Sequence, residues 1–135
     1  MAAVGLLIPF YRYRGLTFEP RRPERWLTRH SLKVVPRAKF YDEAGEPITL
    51  TGMTVRYTLK DVATQTLIVN RQTATLENQT TNPGEAYYPV TALQMANALD
   101  GVEEWEVDHG ASGTETFPAN GVAQVVRIVA DVDNV

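Results

Sequence analysis

The densest group of side chains that could do chemistry lies within residues 102–108. Its four carboxylates are Glu103, Glu104, Glu106 and Asp108. Because glycoside hydrolysis uses a pair of carboxylates, this group is a candidate for acid–base catalysis. The acids at 104, 106 and 108 alternate with Trp105 and Val107, however, which is the period of a strand with one buried and one wet face. The spacing therefore favours a solvated or partner-facing wall of acids over an active site.

No other catalytic or metal-binding pattern stands out. The chain has no cysteine and two histidines, His30 and His109, which leaves no thiolate nucleophile and too few nitrogen ligands for a His-rich metal site. Asp131 and Asp133 could offer oxygen to calcium, but the ligand spacing and glycine of an EF-hand loop are missing. There is no glycine-rich phosphate loop and no HExxH zinc motif. We therefore expect no enzyme activity, no catalytic residues, no metal and no cofactor.

Aromatic and basic residues alternate from Phe10 to Arg14, in the order FYRYR. Such interleaving occurs on platforms that stack single-stranded nucleic acid, and it equally suits an edge strand docked on a protein. Residues 1–40 carry nine basic and two acidic side chains, a net charge of +7, whereas the rest of the chain carries −10. We favour a neighbouring acidic protein as the partner of the basic segment. Docking on the chain's own acidic part is the alternative, and nucleic acid is the least favoured.

From about residue 31 onward the pattern is all β. Short runs rich in Val, Thr, Tyr and Ile are separated by turn residues every ~8–12 positions, which predicts an immunoglobulin-like β-sandwich of seven or eight strands. One short helix is expected over residues 91–99, capped by Thr91. Trp105 is expected in the core. Arg56 or Lys60 is expected to contact an acid of the strand that contains Trp105.

Residues 1–30 show no helical period and include the stiff segment Pro20–Pro23. We therefore expect two parts, an extended basic N-terminal arm of residues 1–30 and a sandwich domain of residues 31–135. The arm would carry the partner interface by adding as a strand to a neighbouring subunit. The candidate interface residues are Phe10, Tyr11, Arg12, Tyr13, Arg14, Arg21, Arg22, Arg25 and Trp26.

Four segments carry a resemblance to a known family. They are residues 48–61 (ITLTGMTVRYTLKD), Glu104–Val107, Gly113–Pro118 and Val125–Val129. Their order and spacing resemble the N-terminal domain of bacteriophage baseplate upper proteins, an Ig-like family, over about residues 31–130. The resemblance implies a β-sandwich that serves as a virion building block and joins one structural ring to the next.

The chain departs from that family in its basic N-terminal segment and in lacking the long C-terminal region of host-binding members. Both departures favour a clamp, connector or decoration protein over a receptor-binding role. We expect a non-enzymatic phage virion structural protein, with capsid decoration (a cement protein) as the preferred role. A tail or baseplate component, such as a connector or upper-baseplate-like adaptor, is the alternative. A carbohydrate- or receptor-binding module is a further one.

The expected partners are other virion proteins, either the major capsid protein or tail and baseplate subunits. A homo-oligomer in the particle is expected, with a trimer as one candidate. The longest apolar run falls far short of the ~20 residues of a membrane span, and no basic leader precedes it. We therefore expect no membrane association, and a location in the virion after assembly in the bacterial host cytoplasm.

Overall fold

Two β-sheets pack face to face in the computed structural model, which describes residues 3–12, 22–119 and 123–130. This part of the chain contains ten strands and a 3-10 turn at Gly110–Ser112. The strands are β1 (Leu7–Tyr11), β2 (Arg25–Thr28), β3 (Arg37–Tyr41), β4 (Thr54–Asp61), β5 (Leu67–Thr73), β6 (Thr75–Leu76), β7 (Glu85–Tyr87), β8 (Leu99–Asp108), β9 (Thr114–Phe117) and β10 (Gln124–Val129).

The smaller sheet has the strand order β1-β3-β7-β6 and the larger sheet has the order β2-β10-β8-β4-β5, with β9 also paired to β8. The pairs β1/β3 and β2/β10 are parallel, and the other pairs are antiparallel. The predicted all-β, immunoglobulin-like sandwich is confirmed.

Side-chain alternation sets the register between the central strands β4 and β8. Val55, Tyr57 and Leu59 on β4 are buried, and Tyr57 lies opposite the buried Trp105 on β8. A slip of one residue would turn all of these side chains towards water, so the hydrophobic pattern fixes the pairing.

Aromatic rings from both sheets meet in the core. The ring centroid of Phe40 on β3 lies 5.9 Å from those of Phe10 and Trp105 and 5.0 Å from that of Phe117. All four rings are fully buried, which confirms the predicted core position of Trp105. Because Phe10 belongs to β1, the N-terminal segment is part of this core.

The predicted boundary between an arm of residues 1–30 and a sandwich of residues 31–135 is wrong for the described residues. β1 and β2 both lie before residue 31, and each forms an edge of one sheet. Their side chains alternate between buried and more exposed positions, with Ile8, Phe10 and Leu27 in the core. Strands of four or five residues show too little periodicity to be recognised alone.

The predicted helix over residues 91–99 is also wrong. Thr91 and Gln94 do exchange the two hydrogen bonds of a capping box, at 3.0 and 3.3 Å, and Met95 N–H closes one turn on the Thr91 carbonyl. The Ala96 N–H makes one further turn bond to the Leu93 carbonyl at 3.4 Å, and no helix forms before β8 begins at Leu99. The ten strands of the described residues exceed the predicted seven or eight, and β1 and β2 are two of the additional ones.

A buried ion pair within the larger sheet also forms hydrogen bonds to the smaller sheet. Arg25 on β2 donates from Nε to Glu103 Oε1 at 2.7 Å and from Nη2 to Oε2 at 3.1 Å. The same guanidinium donates to the carbonyls of Leu6 and Arg37, at 2.9 and 2.8 Å, where the smaller sheet begins. The Arg25 side chain of the larger sheet therefore fixes the backbone at the start of β1 and β3.

Glu103 completes its hydrogen bonds within the larger sheet. The Tyr57 hydroxyl donates to Oε1 at 2.9 Å and Trp105 Nε1 donates to Oε2 at 2.7 Å. Burial and the adjacent Glu103 carboxylate raise the pKa of Tyr57, so its hydroxyl remains a donor. The Arg25 and Glu103 side chains are 1% and 0% exposed, so these hydrogen bonds replace the water that both charges lose.

Replacing Trp105 with alanine tests the aromatic core. We expect Trp105→Ala to lower the free energy of unfolding by about 3–5 kcal/mol, because a fully buried ring is lost together with its hydrogen bond. Trp26→Ala is the matched control, since Trp26 is 58% exposed, and should change the free energy by about 1 kcal/mol or less. Urea denaturation measures both, and equal losses would contradict the assignment.

Removing one charge of the buried pair should be as costly. Glu103→Gln keeps the side-chain shape but leaves the Arg25 guanidinium buried without its counter-charge, which costs about 3–5 kcal/mol. Glu104→Gln, one residue away on the wet face, should stay within about 0.5 kcal/mol of the wild type. Urea denaturation of the two variants checks this, and a Glu103→Gln variant as stable as Glu104→Gln would show that the pair is not needed.

Candidate interaction surface

The acids on the wet face of β8 belong to a charge network on the outer face of the larger sheet. Arg56 on β4 lies opposite Glu106 and contacts Glu106 and Asp108 at 3.1 and 3.4 Å. Arg71 on β5 reaches Glu106 at 2.7 Å, and its hydrogen bond and charge hold the pKa of Glu106 below the ordinary value. The predicted contact between β4 bases and β8 acids is confirmed. Glu103 lies on the opposite face, and arginines hold Glu106 and Asp108.

A groove of about 370 Å³ opens on the same outer face. Its lining residues are Thr58, Lys60, Leu67, Val102, Glu103, Glu104, Pro118 and Ala123. Lys60 lies opposite Val102 and Glu104 lies opposite Thr58, so the two charged side chains are diagonal neighbours. Among the ion pairs of the described residues, none includes Lys60 or Glu104. The groove therefore combines an apolar floor with one unpaired charge of each sign.

Trp26 projects from β2 at the edge of this face and is 58% exposed. The guanidinium carbon of Arg127 lies 5.8 Å from the centroid of the indole ring. Glu24 and Asp100 hold that guanidinium, each at 2.9 Å. A fixed, exposed tryptophan beside an arginine is typical of the residues that dominate protein–protein binding energies.

Nine residues of the N-terminal segment were predicted to bind a partner. Tyr13, Arg14 and Arg21 lie outside the described residues. Phe10 and Arg25 are buried in the protein's own core, so for these two the predicted role is wrong.

Three more of the predicted residues contact this chain itself. Tyr11 stacks on Tyr41 with ring centroids 4.9 Å apart. Arg22 donates from Nε to Gln124 at 2.9 Å, and its guanidinium carbon lies 5.4 Å from the Phe10 ring. Arg12 forms ion pairs with Glu43 and Glu115. Among the six described candidates, contacts within this chain therefore account for Phe10, Tyr11, Arg12, Arg22 and Arg25, and Trp26 is the one that is largely exposed.

Arg12 follows β1 and joins it to β9 at one end of the sandwich. Its Nε and Nη2 each donate to the Glu115 carboxylate at 2.6 Å, and its Nη1 donates to Glu43 at 2.7 Å. The His109 Nε2 atom lies 2.6 Å from Glu115 Oε1. Burial raises the pKa of Glu115, but the hydrogen bonds and charges of Arg12 and His109 outweigh burial, so the pKa lies below 4.5.

The described ranges contain no group of three or more His, Asp or Glu residues that could hold a metal ion. Nor do these ranges include a helix with the length and apolar character needed to cross a membrane.

The comparisons with known proteins find a shared fold but no sequence relative. No protein-family model and no curated protein matches the sequence. Among solved structures, the chain is similar to the N-terminal domain of ORF48 of phage TP901-1, with a TM-score of 0.51 and 12% sequence identity. The superposition covers 95% of this chain and 98% of the phage domain. At this identity the likeness concerns the fold, which the two domains share over nearly their whole lengths.

The Glu115 cluster makes stability depend on pH. Because the folded pKa of Glu115 lies below its ordinary value, the carboxylate stabilises the fold above that ordinary value, and this contribution is lost as the pH falls through the folded pKa. Glu115→Gln should therefore melt at a lower temperature than the wild type near neutral pH, and the difference should shrink below about pH 4.5. Melting curves across this range measure it. Glu46→Gln, on an exposed turn, is the control, and a pH-independent difference for Glu115→Gln would contradict the assignment.

Proposed function

We propose that this protein is a structural component of a bacteriophage particle, located in the tail or baseplate, and that it acts without catalysis. The fold shared with the phage TP901-1 domain over 95% of the chain is the observation that carries the proposal. The resemblance of residues 31–130 to the N-terminal domains of phage baseplate upper proteins points the same way.

Capsid decoration, the role first favoured by the sequence, has less support. That role was favoured partly because of an extended basic N-terminal arm, whereas β1 and β2 are strands of the protein's own sheets. A tail or baseplate component needs no such arm, because compact domains can join neighbouring rings through their surfaces. A carbohydrate-binding role lacks support as well, since no aromatic side chain for stacking a sugar is among the groove's described lining residues.

The proposed partners are other tail or baseplate subunits, and the groove on the outer face is the proposed contact. A neighbouring segment would place an acidic side chain against Lys60, a basic one against Glu104, and an apolar one on Val102. Opposite charges at two fixed points would set the register of that segment, and wrong partners would meet like charges.

Immunogold labelling tests the location. Antibodies raised against the recombinant protein would be applied to purified particles of the phage that encodes it. Label is expected at the tail tip. Label over the head would replace the tail proposal with capsid decoration. Particles without label, and without the protein in their mass spectra, would overturn the virion role.

Charge reversal tests the groove. We expect Glu104→Lys to fold normally but to enter particles about tenfold less than the wild type, which corresponds to ~1.4 kcal/mol of binding. Glu46→Lys makes the same charge change on an exposed turn after β3 and should incorporate normally. Normal incorporation of Glu104→Lys would overturn the groove contact and leave the virion role standing.

A further inference from the structure

Five strands of the described sandwich have an unpaired side, β1 and β6 in the smaller sheet and β2, β5 and β9 in the larger one. Exposed edges can pair with other chains unless something blocks them. β6 has only two residues. β5 is irregular, because its register against β4 shifts and Arg71 adopts a φ of +49°. Neither edge offers a straight run of backbone groups.

Pro9 blocks the open side of β1. The Arg12 N–H donates to the Tyr41 carbonyl at 2.9 Å, and alternate residues of a strand direct their backbone groups to the same neighbour. The backbone N–H and C=O groups of Ile8 and Phe10 therefore point towards β3, and the backbone of Pro9 points away from β3 to the open side. Since proline has no N–H, an incoming strand would miss a hydrogen bond at the centre of β1.

The open side of β2 carries no such block. The Arg29 N–H donates to the Val129 carbonyl at 2.8 Å, so the backbone groups of Arg25 and Leu27 face β10 in this parallel pair. Those of Trp26 and Thr28 face outward. Within the described chain the Trp26 N–H and C=O have no hydrogen-bond partner, and the Thr28 carbonyl accepts from Ser31 N–H. β2 thus presents free backbone groups beside a largely exposed indole.

We propose that β2 pairs antiparallel with β2 of a second copy of this chain, about a two-fold axis at Trp26. The Trp26 residues of the two copies would exchange both backbone hydrogen bonds, and their indoles would lie side by side on the outer face. Cross-strand aromatic pairs of this kind stabilise antiparallel sheets. The larger sheets of the two copies would become one continuous sheet.

The charges on β2 favour a second copy as the occupant. In this register Glu24 of each copy lies opposite Thr28 of the other, so a carboxylate meets a hydroxyl donor and no like charges face each other. Arg127, beside each indole, is already neutralised by Glu24 and Asp100. The outward face of β2 is therefore complementary to itself, as a two-fold interface requires. The inference concerns the isolated protein and does not depend on the proposed virion function.

Sedimentation equilibrium of the full chain over a range of concentrations tests the dimer. A short strand pair buries little area, so we expect a monomer–dimer equilibrium with a dissociation constant on the order of 10–100 μM. Trp26 fluorescence should shift to shorter wavelength as the dimer forms, whereas the fully buried Trp105 should not respond. A monomer at all concentrations, or a trimer, would overturn the proposal.

Two variants test separately the backbone hydrogen bonds of β2 and the contact of the Trp26 side chain. Thr28→Pro removes an N–H that faces away from β10, so it should spare the fold and weaken dimerisation about tenfold or more. Trp26→Ala should weaken it similarly and provides a second route if Thr28→Pro is unstable. Leu93→Ala, at a residue 87% exposed in the turn before β8, is the control and should dimerise normally. Dimerisation unchanged in both edge variants would exclude β2 as the interface.

Discussion

The Arg25 guanidinium forms hydrogen bonds to both sheets and so fixes their relative positions. It binds the Glu103 carboxylate of β8 and two carbonyls at the start of the smaller sheet, and both charged side chains are almost completely buried. An unpaired charge at this depth would cost several kcal/mol, so the positions of β1, β2, β3 and β8 are coupled. A sandwich without a disulfide gains here a directional link that apolar packing alone does not supply.

Adjacent acids on β8 have opposite roles because of the pleat. Glu103 faces inward and forms the buried ion pair with Arg25. Glu104, one residue later, faces solvent and has no ion pair in the described chain. Around Glu104, the arginines Arg56 on β4, Arg71 on β5 and Arg127 on β10 already pair with other acids. The unpaired Lys60 and Glu104 and the exposed indole thus lie on an outer face whose three arginines all pair with acids.

The fold class could be predicted from the sequence because strands such as β4 and β8 alternate over many residues. β1 and β2 were missed because each is short and pairs in parallel with a strand that the local pattern does not identify as its partner. One feature of the sequence indicates the buried ion pair. Alternation along the strand places Glu103 on the same face as Trp105 and Val107, and a carboxylate on a core face needs a cation. Which of the 13 basic residues supplies it depends on topology, which the local pattern does not contain.

The order of synthesis gives the parallel pair of β2 and β10 a further consequence. The ion-pair partner of Arg25, Glu103, is synthesised 78 residues later, and β10, the partner strand of β2, is synthesised about 100 residues later. At ~5–20 residues per second, β2 leaves the ribosome roughly 5–20 s before its neighbour exists. Contacts this distant along the chain also slow folding after release. During that interval Trp26 and Leu27 belong to an unpaired segment, and unpaired strand edges with exposed apolar side chains are prone to aggregation.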